Sequence, residues 1–290
     1  MEDYKKLLDE LLVEYDLENI REYLYENIKN NIYLGIGEKD NYNLKGVSRV
    51  GGYPDVQKDF EWPKTKSEEP MTFIAQLNLN DISSNDKRNL LPQNGILYFF
   101  MGRYEPAYDI EHKVIFVESY KNLVTMKLDE PAVLEKYYEN FFTAYKLESK
   151  ASFEIPNYAY MSYDIIEDDE YIEIEETVHF ENEFENSIGK IYGYPDGQHG
   201  DAELEAALKI IANCKYSYSS KDKEKLAKAL NNSEESANNE IKNMEMLLEI
   251  KSSDEVGFTW WDCGVIHFFI RQEDLTNKDF SKTYLSLYSS

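Results

Sequence analysis

Cysteine is nearly absent: Cys214 and Cys263 are the only two in 290 residues. So few thiols build no disulfide framework, and a reducing compartment, the cytoplasm, is expected. No apolar run approaches the roughly 18–20 residues that a membrane span takes. The opening Met1-Glu2-Asp3-Tyr4-Lys5-Lys6 has neither the basic start nor the apolar stretch of a signal peptide. Positive charge is scarce, with 31 Lys and Arg against 56 Asp and Glu, a formal net charge of −25. Such a chain repels phosphate backbones and anionic lipid, so neither nucleic acid nor membrane is expected as a partner. Its four histidines are scattered without ligand spacing, so no metal and no cofactor is expected. Glu167-Asp168-Asp169-Glu170 lacks the spacing and glycine of an EF-hand and reads as a solvated loop.

Motifs for common chemistries are missing too. Gly35-Ile36-Gly37 and Gly51-Gly52 lack the rest of either nucleotide fingerprint, and no Gly-x-Ser-x-Gly elbow occurs. Cys263 and His267 are four apart on an expected strand, which separates them by about 13 Å. That spacing excludes direct activation of the thiol. No catalytic residue is assigned, and the reading leans away from an enzyme.

What is present is aromatic and acidic. The chain has 24 Tyr and 14 Phe, side chains that suit strands with one wet face. Twelve Asp or Glu and no Lys or Arg lie between Ala151 and Gly189, either a solvated face or a surface for a basic partner protein. Leu7, Leu8, Leu11, Leu12 and Tyr15 predict a helix, and Asp16 is placed to cap a second one carrying Leu17, Ile20, Leu24 and Ile28. Leu134, Tyr138, Phe141, Phe142 and Tyr145 predict another helix, with further ones after Asp201 and over Lys221–Leu230. Strands are expected at Phe73–Leu79, Ile96–Met101, Val114–Val117, Tyr171–Glu175, Met246–Ile250, Phe258–Trp261 and Val265–Ile270. Asn231–Asn243 reads as an exposed connection.

Some of these strands match one another. Met71–Leu77 aligns with Met244–Ile250, which sets Gln76 opposite Glu249. Gly95–Phe100 aligns with Gly264–Phe269, which sets Tyr98 opposite His267. Each pair is preceded by a Tyr-Pro-Asp turn, Tyr53-Pro54-Asp55 or Tyr194-Pro195-Asp196, with Gly before it. The expected fold is α+β: duplicated antiparallel β units sharing a core, with N-terminal and peripheral helices. As a single domain over 1–290 it divides into N-terminal helices over 1–30, a first β unit over 31–150, an acidic connection over 151–190 and a second β unit over 191–290.

The same residues carry a family resemblance. Ser48-Arg49-Val50-Gly51-Gly52-Tyr53-Pro54-Asp55, Phe60-Glu61-Trp62-Pro63, Phe73–Leu77 and Leu91-Pro92-Gln93-Asn94-Gly95 resemble the bacterial YwqG-like family, as do Gly193-Tyr194-Pro195 with Gln198 and Trp261-Asp262-Cys263-Gly264. The resemblance covers Asn31 to the C-terminus, implies the fold, and brings no assigned reaction. Glu249 departs from it, because the second unit of that family usually has Gln there.

Polar groups amid apolar strands need partners, or each costs about 1–3 kcal/mol. Arg49, Tyr53, Trp62, Gln76, Gln198 and Asp262 are therefore either an internal hydrogen-bonded set or a ligand-binding set in a cleft between the units. The leading expectation is a non-catalytic binding protein with an acidic interaction surface, a toxin-neutralising role being one that fits the charge. The alternative is a sensor or enzyme that uses the cleft for a small molecule of unknown identity.

Overall fold

The computed structural model describes residues 2–105, 107, 110–166, 168–182, 184–197 and 200–289. Two helices open the chain, α1 (Glu2–Glu14) and α2 (Arg21–Asn27), followed by the strands β1 (Lys29–Lys39), β2 (Arg49–Val50), β3 (Asp55–Val56) and β4 (Thr72–Asn78). A short helix α3 (Leu79–Ile82) leads to β5 (Ile96–Met101), β6 (His112–Val117) and β7 (Val124–Thr125). Helix α4 (Val133–Tyr138), strand β8 (Tyr145–Glu154), helix α5 (Asp168–Asn182) and strand β9 (Ser187–Tyr192) follow. Three helices, α6 (Ala202–Ala212), α7 (Lys221–Ala229) and α8 (Glu234–Lys242), precede β10 (Met244–Lys251) and β11 (Val265–Arg271). Helix α9 (Gln272–Thr276) and strand β12 (Thr283–Tyr288) end the fold.

Ten strands form one sheet in the order β12-β11-β10-β9-β1-β8-β2-β4-β5-β6, and β3 pairs with β7 separately. Every named pairing is antiparallel. The sheet curls until its two edges meet. His112 on β6 lies 3.0 Å from Thr283 Oγ1 on β12, and Phe116 packs on Phe280 at 5.2 Å between ring centroids. Curling turns one face of each half inward, where Leu77, Leu97 and Phe99 meet Ile266, Phe268 and Leu285 in one core. Each such side chain, fully buried, is worth about 1.5–3 kcal/mol of transfer free energy.

The outer face needs its own cover. Helices α1, α2 and α5 bury Leu8, Leu12, Leu24, Tyr171 and Ile174 with Phe153 of β8. Helices α6 to α8 cover β10, β11 and β12 through Ala206, Leu226 and Ala237. A loop carrying Phe60 and Trp62 covers Phe73, Tyr98 and Phe100 on the other half. Among the described residues, no helix is long and apolar enough to cross a membrane.

Several expected elements differ. Tyr171–Glu175 alternates like a strand but is helical, because Tyr171, Ile174 and Val178, spaced three and four apart, are the residues that bury. The acidic stretch 151–190 is more than a connection: it holds the end of β8, all of α5 and the start of β9. Asp168–Glu170 open that helix, and Glu167 lies outside the described residues. Asn231–Asn243 is mostly α8, anchored by the fully buried Ala237 and capped by Ser233 Oγ, which accepts from Ser236 N. The stripe from Leu134 to Tyr145 is helical only to Tyr138: Glu139 turns to a left-handed φ of +58°, Phe141 is exposed, and Tyr145 begins β8. Phe258–Trp261 is irregular rather than a strand, with Phe258 making a single bridge to Ser253 between two turns. Asp16, at φ +56°, does not cap the second helix, since Leu17 occupies the capping position of the 3₁₀ turn leading into it.

Candidate functional site

Strand register places two polar rows across otherwise apolar strands. In the first, Arg49 on β2 faces Gln76 on β4, which faces Tyr98 on β5. In the second, Lys190 on β9 faces Glu249 on β10, which faces His267 on β11 and then Ser286 on β12. Residues directly opposite in antiparallel strands share a face. Both rows lie on the outer face, beneath the covering layers: Tyr98 stands among the cluster of Phe73 and Phe100, and His267 alternates with Val265 and Phe269 under α6 to α8.

The first row is closed. The Arg49 guanidinium donates to Asp40 at 2.5 Å, to Asp55 at 2.8 Å and to the Tyr53 carbonyl at 2.8 Å, and it lies 4.6 Å over the Tyr42 ring. Gln76 accepts from Asp55 N at 2.7 Å and donates to Val47 O at 2.6 Å. Tyr98 donates its hydroxyl to Asp55 O at 2.7 Å. Thr125 and Gly46 N also donate to the Asp55 carboxylate. Burial pushes the Asp55 carboxyl up, but these hydrogen bonds and the Arg49 charge outweigh it and hold its pKa below the usual value. Arg49, Asp55 and Gln76 are completely buried; the Arg49 guanidinium, the Gln76 amide and the Tyr98 hydroxyl pin the Tyr53-Pro54-Asp55 turn, and Lys45, 3.8 Å from Asp55, is the second cation beside the two carboxylates.

The second row holds the other turn with more ionisable groups. Lys190 donates to Glu154 at 2.9 Å and to Asp196 at 2.8 Å, and lies 3.9 Å from Glu249. Glu249 accepts from Asp196 N at 2.9 Å. Glu154 accepts from Asn31, Tyr33 and Tyr194 N. Gly193, at φ +84°, permits this: a Cβ there would sit 2.3 Å from the Glu154 carboxylate. Burial alone would lower Lys190, yet Asp196, Glu154 and Glu249 raise it well above the usual lysine value, so it stays an ammonium rather than a nucleophile. Burial pushes Asp196 up, and the Lys190 and Lys251 charges pull it far below the usual carboxylate range. His267 Nε2 lies 3.1 Å from Glu249 Oε2 but off hydrogen-bond geometry, and Nδ1 has no hydrogen-bond partner among the described residues.

The second turn borders open space. A cavity of about 240 Å³ under α5 is lined by Glu154, Lys190, Tyr194, Asp196, Glu175 and Val178. Asp196 also lines a groove of about 800 Å³ with Lys251, Asp254, Glu255, Glu185 and Cys263. The acidic helix and the groove therefore meet at Asp196.

Of the six residues singled out in the sequence, Arg49, Tyr53 and Gln76 come together in the first row. Trp62 donates to Met71 O and packs its ring edge on Phe100, within the layer covering that half. Asp262 is exposed in the turn before β11, and Gln198 lies outside the described residues. None of the described five lines the groove. Cys263 is not on a strand as expected; it is exposed at φ +54°, whereas His267 is completely buried. His112 binds Ile110 O and Thr283 through its two ring nitrogens. Among the described residues no group of three His, Cys, Asp or Glu is arranged to hold a metal ion. Lys190 and Glu154 escaped the sequence reading, although Arg49 and Lys190 each stand four residues before a Tyr-Pro-Asp turn.

Residues 48–288 match the family described as a domain of unknown function, DUF1963. The chain belongs to the DUF1963 family. The YwqG-like resemblance is to this family, and the match spans both polar rows, the acidic helix and all of the groove's lining but Ile36, Gly37 and Ser289. Comparison with curated proteins finds no match.

Proposed function

We propose that this DUF1963 protein is a non-catalytic binding protein whose acidic, tyrosine-bearing face takes a basic partner protein. One observation carries the reading: large apolar side chains stand in solvent among the carboxylates of the acidic stretch. Tyr158 is 66% exposed, Tyr163 55%, Ile165 46% and Ile172 40%. Glu173 and Glu176 are exposed beside them. Apolar groups supply contact area, while surrounding carboxylates favour a partner rich in Lys and Arg. Asp196, Glu185, Asp254 and Glu255 extend the acidic character into the groove, offset by Lys251. Neutralising a basic toxin in the cytoplasm is one role of this kind.

We also infer that the chain is a duplicated β unit forming a single domain over 1–290. The strand order supports this: β6, β5, β4, β2 and β8 from one edge match β12, β11, β10, β9 and β1 from the other. In this reading the first strand of each unit, β1 or β8, is exchanged into the other half. Arg49 and Lys190, Gln76 and Glu249, and Asp55 and Asp196 would be equivalent pairs.

The partner reading is tested by capture from a cell extract at low salt. Immobilised wild-type chain is expected to retain a basic protein that elutes as ionic strength rises. Glu173→Lys with Glu176→Lys is expected to lose it. Retention of nothing basic, or retention indifferent to the double substitution, would defeat the reading.

A further inference from the structure

The large sheet parts between β9 and β10. Those strands pair only at Glu249 with Lys190 and at Ile250 with Gly189. Gly189 lets the backbones close there, since a Cβ would collide with Glu249 O. Beyond that point the pairing ends, and the groove of about 800 Å³ opens between Ser187 on one side and Ser252 and Ser253 on the other. Its floor is apolar, with Phe258 and Val265 buried and Ile36 partly so. Its rim is acidic: Glu185, Asp196, Asp254 and Glu255 stand against one ammonium, Lys251, which Asp196 holds at 3.3 Å. Glu185 and Asp254 are exposed and have no hydrogen bond or ion pair among the described residues.

The Trp261-Asp262-Cys263-Gly264 turn closes one end. Thr259, Cys263 and Gly264 line the groove, and Trp261, between them in the chain, is 40% exposed. Trp261 Nε1 donates to Glu105 at 2.9 Å, which fixes the ring by its edge. Tyr138 gives its hydroxyl to Thr259 O, and the exposed Tyr137 packs on Tyr138 at 5.2 Å. Asp262 is exposed beside Trp261 and has no partner among the described residues. An aromatic face attracts a cation, and neighbouring carboxylates add to that attraction. A planar guanidinium stacks on such a ring better than a strongly hydrated ammonium does, and its carbon stem suits an apolar floor.

We propose that an extended arginine-rich segment of the basic partner lies in this groove, its guanidinium groups paired with Asp254 and Glu185 and one of them stacked on Trp261. The proposal rests on the basic-partner reading and adds where, and in what form, that partner is held.

Fluorescence anisotropy of the full chain with a labelled octapeptide of alternating Arg and Ser tests it, beside the matching Lys and Glu peptides. The Arg peptide is expected to bind saturably and the Glu peptide not to bind. The Lys peptide is expected to bind about two- to fivefold more weakly, the scale of one exposed cation–π contact. Glu185→Lys with Asp254→Lys is expected to weaken Arg-peptide binding by at least about tenfold. Glu14→Lys with Glu235→Lys makes the same charge change at exposed positions outside the groove. That pair is expected to weaken binding less than about threefold, because salt screens distant charge. Trp261→Ala should erase the preference for Arg, and Trp261→Phe should keep it; unliganded melting checks that each variant folds. Cys263, exposed in the groove, reads the seat independently. Bound peptide is expected to slow its alkylation in proportion to occupancy and to leave Cys214, outside the groove, unaffected. No binding of the Arg peptide, equal loss in the two charge pairs, an Arg preference that survives Trp261→Ala, or undiminished alkylation of Cys263 at saturation would overturn the groove. Release by Glu173→Lys with Glu176→Lys but not by the groove pair would refute the groove and leave the acidic face standing. The reverse pattern would keep the groove and refute the acidic face.

Discussion

Gln76 and Glu249 perform the same backbone task with different charge. Each accepts the N–H of the aspartate ending a Tyr-Pro-Asp turn, at 2.7 and 2.9 Å. Gln76 must also donate, because its amide faces Val47 O at 2.6 Å. A carboxylate there would oppose a carbonyl oxygen in a row whose charges are already matched. Gln76→Glu is therefore expected to destabilise the chain by at least about 2 kcal/mol, the scale of a buried unpaired charged group. Glu249→Gln keeps the acceptor for Asp196 N and is expected to cost less than about 1 kcal/mol. Urea unfolding of the two variants measures this, and equal costs would refute the asymmetry. At this scale Arg49 and Gln76 were legible as polar residues among apolar neighbours. Their closure into an internal network was not, because Asp40 and Tyr42 reach Arg49, and Thr125 reaches the Asp55 carboxylate that Arg49 holds, only through the fold.

The strands were largely legible, since β-branched and aromatic runs such as Ile96–Met101 must bury both faces in a sheet covered on both sides. The helices α5 and α8 were not, because neither has a strong apolar stripe and each is selected by the surface it covers. Helix α7, expected from the sequence, is by contrast held locally at its start. Asp222 accepts from Ser217 N at 2.8 Å, Ser217 Oγ at 2.8 Å, Ser219 N at 3.2 Å and Lys225 at 2.6 Å. Burial pushes its carboxyl up, but these bonds outweigh it and hold the pKa at about 2, against the usual 3.8. A carboxylate depressed on folding stabilises fully above its unfolded pKa and loses that contribution as pH falls toward its folded value. Asp222 thus contributes above about pH 4 and ceases to by about pH 2. Asp222→Asn is expected to lower stability at neutral pH and to flatten the acid loss across that window. A pH series of urea midpoints checks this, and unchanged acid slopes would count against the cap.

The curl of the ten-stranded sheet gives the molecule one inner core rather than two. Phe99 and Phe268 meet across it edge to face at 5.1 Å. Phe268→Ala would empty a buried position and is expected to cost about 3–5 kcal/mol. Because both halves line the same core, hydrogen exchange should show the first-half strands β4 and β5 losing protection together with β10 and β11. Loss confined to the second half would mean that the halves fold separately.

By itself the sequence determined the strand segments, the Gly-Tyr-Pro-Asp turns and the acidic balance, since each rests on residue chemistry and local spacing. Only the tertiary structure decided that Arg49 and Gln76 are sealed, and that Asp196 opens on a groove. Those outcomes depend on which faces the curled sheet buries and which helices cover the rest. Both are settled by contacts between residues far apart in the chain, where local periodicity carries no information.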